Sequence, residues 1–85
     1  MKVVVLVEER AFTIRCGDGT QPVKWLGSVA VARYEPLAGV DVGAVVSIVH
    51  ESADRRLNFE ERVVDCLEDG DTIRVITEHD HISQN

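Results

Sequence analysis

Only one stretch of this 85-residue chain carries its apolar residues at helical spacing, and the other long apolar runs are β-patterned. From Val23 to Tyr34, the residues Trp25, Leu26, Val29, Ala30 and the stem of Arg33 recur every three or four positions, with Lys24 and Ser28 off the stripe. A lone amphipathic helix must bury its stripe against another element, and here the available partner is one face of a sheet. Thr20 is placed to cap this helix and Pro22 to occupy its first turn, where a missing N–H costs nothing. Glu35-Pro36 is expected to end it, because a residue before proline avoids the helical region.

The sheet is read from the flanking segments. Lys2–Val7 (KVVVLV) is a β-branched run too short for a helix. Phe12–Cys16 (FTIRC) alternates apolar with polar residues and follows the polar break Glu8-Glu9-Arg10-Ala11, which predicts an antiparallel hairpin. Ala44–Glu51 (AVVSIVHE) and Thr72–Thr77 (TIRVIT) are further strands, and Leu57 and Phe59 anchor a short fourth strand or bend. Residues 61–67 form a short turn or 3₁₀ segment, followed by the acidic turn Glu68-Asp69-Gly70-Asp71. The expected class is α+β, with one helix packed across a mixed sheet of four or five strands. The domain is expected to span residues 1–78, with residues 79–85 as a polar, flexible tail.

Charge narrows the partners. Fifteen acidic against nine basic residues give a net charge of −6, and no basic run exists to neutralise phosphates or anionic lipid. Nucleic acid and membrane are therefore not expected partners. The apolar run Val3–Val7 is too short for a signal peptide, and no segment approaches the roughly 20 residues that span a bilayer. Cys16 and Cys66 read as two reduced core or half-core thiols, which places the chain in the cytoplasm or nucleus.

This element order, and above all the run Val64-Asp65-Cys66-Leu67-Glu68-Asp69-Gly70-Asp71-Thr72-Ile73-Arg74-Val75-Ile76, resembles the ubiquitin-like β-grasp superfamily. The likeness covers Lys2 to about Glu78 and includes the loop with a buried leucine, the acidic turn and the closing strand. Conjugated and sulfur-carrying members of that superfamily end in a Gly-Gly tail. Here the tail is Glu78-His79-Asp80-His81-Ile82-Ser83-Gln84-Asn85, so the resemblance implies a non-conjugating domain. A modifier or carrier with an atypical tail is the alternative.

The resemblance also implies where a partner docks. Ubiquitin is read on the sheet face away from its helix. If Phe12, Ile14, Ile48, Ile73 and Val75 face the helix, the opposite parity presents Val4, Leu6, Thr13, Arg15, Val49, Arg74, Ile76 and Glu78 to the outside. Val4, Leu6, Val49 and Ile76 form the expected apolar patch, with Arg15 and Arg74 as its rim. Partly apolar outward faces also arise simply because β-branched residues favour strands.

Other chemistry is thin. His79-Asp80-His81 offers two metal ligands without a third, so we expect a solvated tail and no metal site. The Glu68–Asp71 turn lacks the ligand spacing of an EF-hand, and Gly17-Asp18-Gly19 lacks the third glycine and basic residue of a P-loop. Some interaction domains of this fold pair an acidic turn with a lysine on the partner's first strand; Lys2 is a poor substitute for that lysine, so head-to-tail pairing is not the expected mode. We expect a protein-interaction or scaffold domain without enzymatic activity or cofactor, monomeric or weakly self-associating.

Overall fold

A computed structural model describes residues 1–79. The elements are β1 (Lys2–Val7), β2 (Arg10–Arg15), α1 (Val23–Ala38), β3 (Val45–His50), β4 (Arg55–Arg56), α2 (Val63–Cys66) and β5 (Thr72–Thr77). The five strands form one sheet in the order β2-β1-β5-β3-β4. β1 is antiparallel to β2 and parallel to β5, and β5 is antiparallel to β3. The parallel β1–β5 pair needs a long connection, and everything from β2 to α2 supplies it. This is the expected α+β architecture, a mixed sheet with one main helix across it, and it is consistent with a β-grasp.

Alternation along β1 explains the layering. Val3, Val5 and Val7 are fully buried under the helix, whereas Val4 and Leu6 are half-buried on the other side. The same parity puts Ile14, Ile48, Ile73 and Val75 into the core, where they meet Val23, Leu26, Ala30 and Tyr34 of α1. The buried helix stripe thus runs Val23, Leu26, Gly27, Ala30, Tyr34. Trp25 and Val29 lie only at its border, and Arg33 is exposed. Gly27 is what turns the stripe: a β carbon there would lie 3.1 Å from Ile48 Cδ1 and 3.4 Å from Val45 Cγ2, so the helix approaches the sheet along this residue.

Both ends of α1 differ from the sequence expectation. Pro22, not Thr20, is the N-cap residue, and no side chain caps the helix. Thr20 instead bonds Asp18, through its N–H at 3.4 Å and its hydroxyl at 3.1 Å. The first helical N–H groups are satisfied from far along the chain: Val23 donates to Glu61 O at 2.9 Å and Lys24 to Phe59 O at 3.1 Å. At the other end the helix passes through Pro36 and stops at Gly39 (φ 70°), whose N–H bonds Glu35 O at 2.9 Å. Pro36 is exposed in the last turn, where the N–H it lacks leaves a carbonyl on the solvent side, and the left-handed glycine is the stronger stop. The Glu35 carboxylate then accepts the Val42 N–H at 2.9 Å and ties down the following loop.

Candidate protein-interaction face

Among the described residues no element covers the face of the sheet opposite α1, and strand register decides which residues meet there. Leu6 pairs with Ala11 on β2 and with Arg74 on β5. Arg74 pairs with Val49, and Val49 with Arg56. One row, Ala11–Leu6–Arg74–Val49–Arg56, therefore crosses all five strands. The next row carries Thr13, Val4 and Thr72, and beyond it Lys2 stands opposite Arg15. Ile76 lies two residues along β5 from Arg74, opposite Ser47 at a register shift in β3.

Val4, Leu6, Arg15, Val49, Arg74 and Ile76 thus share one face, with two changes to the expected layout. Arg74 is not a rim residue. It sits in the middle of the row, between Leu6 and Val49, and its guanidinium reaches Glu51 at 3.4 Å. Glu78, placed on this face by parity, lies past the end of β5, and its carboxylate accepts the Ala44 N–H at 2.8 Å. Arg15 stands two rows from Leu6, nearer Lys2 than Ile76.

Lys2, Glu51 and Arg56 also belong to the face. Extending the β1 parity by one step finds Lys2. Arg56 had no comparable signal, because β4 is only two residues long. Among the described residues Lys2, Arg15 and Arg56 form no ion pair, although the chain carries six excess negative charges. Lys2 and Arg15 are directly opposite across the strand pair, an arrangement of like charges that destabilises a sheet.

A family model described as the N-terminal of Par3 and HAL proteins matches residues 1–81. The chain belongs to this family. No curated protein matches it. The Par3/HAL N-terminal family has a ubiquitin-like fold, in keeping with the resemblance, and membership points to a protein-interaction or oligomerisation module.

In this member of the Par3/HAL N-terminal family, the end of the sheet next to Lys2 is fastened by a polar hub. Buried His50 places Nε2 3.1 Å from Asp71 Oδ2. Its Nδ1 accepts the Ala53 N–H at 3.3 Å and lies 3.4 Å from Ser52 Oγ. Because a backbone N–H points at Nδ1, the ring proton belongs on Nε2, donating to Asp71. Asp71 also accepts the Glu68 N–H at 2.8 Å, and Asp69 Oδ1 accepts the Lys2 N–H at 2.7 Å. The Asp69 and Asp71 carboxylates of the acidic turn therefore fasten the β1 and β3 ends to it. Nδ1 is thus shared between the Ser52 hydroxyl and the Ala53 N–H.

The Glu68 N–H, and after it His50, hold the Asp71 carboxyl below the ordinary aspartate range. A depressed folded-state value means stability that is present above the unfolded value of about 3.9 and lost as pH falls through the folded value. Urea unfolding of Asp71→Asn between pH 6 and pH 3 should show a smaller loss of stability with acid than the parent; an unchanged acid slope would remove Asp71 from the hub's energetics.

Both cysteines are free thiols. Burial pushes the Cys16 thiol up, and burial with Glu61 nearby pushes Cys66 up to about 11, so neither is poised as a thiolate at neutral pH. Asp80 and His81 of the His79-Asp80-His81 run, and the rest of the tail, lie outside the described residues. Among the described residues no helix is long and apolar enough to cross a membrane.

Proposed function

We propose that this domain is a non-catalytic protein-interaction module that docks an acidic protein surface on its open sheet face. One observation carries the reading: Val4, Leu6, Val49 and Ile76, half-buried around Arg74, are flanked by Lys2, Arg15 and Arg56, three cations that form no ion pair among the described residues of an acidic chain. Desolvated apolar contacts supply affinity at such a face, and flanking charges supply orientation and on-rate. A partner bearing carboxylates relieves the Lys2–Arg15 repulsion on binding.

A second copy of the domain is a specific candidate for that partner. Glu68 is exposed in the acidic turn, near Glu60 and Asp65, which are exposed and pair with Lys24 and Arg62, so one molecule offers acidic groups off the open face as well as the cations on it. Such a front-to-back contact is heterologous and extends into filaments unless the rotation closes.

The double variant Leu6→Asp/Ile76→Asp tests the face. It should lower partner capture or self-association by about 30-fold or more, in line with a loss of roughly 2 kcal/mol at a hot spot. Sedimentation velocity at low and high salt separates the two partners, since only self-association changes the size of the purified domain. Unchanged capture and unchanged sedimentation in a variant with parental circular dichroism would overturn the assignment of this face.

A further inference from the structure

Beside the open face, β2 presents an outer edge. β2 ends the sheet and pairs only with β1. The Cys16 N–H donates to Met1 O at 2.8 Å, and the register continues unbroken from Lys2–Arg15 to Val7–Arg10. In an antiparallel ladder bonded pairs alternate, so Arg10, Phe12 and Ile14 aim their backbone groups at β1. Ala11, Thr13 and Arg15 aim theirs outward.

Exposed edges are usually blunted by proline, a bulge, shortness or a covering element. The opposite edge shows this treatment: β4 is two residues long, and β3 carries a register shift. β2 is six residues long, free of proline and regular. On its outer side Arg33 Nη1 of α1 donates to Thr13 O at 3.4 Å.

Charge identifies what fits the edge. Arg15 lies on its open-face side, next to Lys2, while Arg10 and Arg33 lie on its helix side. Among the described residues only Arg10 of these has an ion-pair neighbour, Glu9 at 4.0 Å. Half-buried Phe12 adds an apolar contact at the middle of the strand. We propose that the β2 edge binds an extended acidic peptide segment by strand addition. The peptide main chain bonds the outward N–H groups of Ala11, Thr13 and Arg15, and its carboxylates meet Lys2 and Arg15 on one side and Arg33 on the other.

The probe is an eight-residue peptide of alternating threonine and glutamate with a central valine, titrated into the ¹⁵N-labelled domain. The amides of Ala11, Thr13 and Arg15 should shift, and their hydrogen exchange should slow by about tenfold or more as they gain partners. The lysine-for-glutamate peptide should not bind. Arg15→Glu/Arg33→Glu should weaken binding by about tenfold through two exposed charge contacts. Thr13→Pro, which removes an outward N–H that the fold leaves unused, should abolish it; should that variant not fold, the charge-reversed one decides. Leu6→Asp/Ile76→Asp should bind the peptide normally, which separates this site from the open face. Equal binding of the lysine peptide, shifts confined to Val4, Leu6, Val49 and Ile76, no shift at millimolar peptide, or the same edge shifts appearing with protein concentration alone would each overturn the proposal.

Discussion

Leu26→Ala is expected to remove about 2–5 kcal/mol of unfolding free energy, the range for a fully buried leucine truncated in a core. A domain of this size has roughly 4–12 kcal/mol in total, so the variant should lie near the edge of folding. Leu26 has no exposed surface and is the largest residue on the buried stripe of α1 apart from Tyr34. Its core cluster includes Val3, Val5, Val7, Ile48, Ile73 and Val75, which belong to the sheet. β-Branched side chains have few alternative rotamers, and a hydrogen-bonded sheet cannot collapse locally, so the cavity stays open. Leu37→Ala provides the control: Leu37 is on the same helix but 59% exposed, and its loss should shift stability by no more than about 0.5 kcal/mol. Urea unfolding of both variants checks the pair; similar midpoints would mean that the helix is not seated on the sheet through Leu26.

Gly19→Ala should cost about 2–4 kcal/mol, while Gly70→Ala should cost only about 1 kcal/mol. Both glycines occupy the left-handed region, with φ of 75° and 87°, so backbone strain is common to the two. Surroundings separate them. A β carbon at Gly70 meets nothing within 4 Å. At Gly19 it would lie 2.9 Å from Met1 Sδ, 3.0 Å from Val64 Cβ and 3.1 Å from Val64 N. The methionine end can move aside, but Val64 cannot, because its N–H donates to Gly19 O at 2.9 Å and fixes α2 against the loop. Thermal melts of the two variants should differ clearly, at about 4–8 °C per kcal/mol for a domain this small. Equal melting temperatures would show that the Gly19–Val64 contact carries no weight.

These residues also show how far reading from pattern reaches. β1 and β5 have the bounds read from KVVVLV and TIRVIT, Lys2–Val7 and Thr72–Thr77. Period-2 burial and β-branching are local properties, and both strands lie inside the sheet where local preference and tertiary context agree. The ends of α1 were misjudged for the opposite reason. Its N-terminal donors are capped by carbonyls of residues 59 and 61, and its last turn tolerates Pro36 because Gly39 is the real terminus. A cap supplied from 35 or more residues away leaves no trace beside the helix.

The candidate face divides in the same way. Alternation along each strand was enough to sort Val4, Leu6, Val49, Arg74 and Ile76 from the core, because the side-chain period of a strand is two and one face must be buried. Their arrangement depended on pairing. The parallel β1–β5 ladder joins residues nearly 70 positions apart, and only its register puts Arg74 between Leu6 and Val49 and draws Glu51 to it. The two-residue β4 brings in Arg56, and the β1–β2 register sets Lys2 against Arg15. The chain's own pattern thus settled the α+β class, the strand cores and the sidedness of the sheet. Which side chains are neighbours, and which cations share the open face, came from long-range hydrogen-bonded register, a property of the folded sheet that no local window contains.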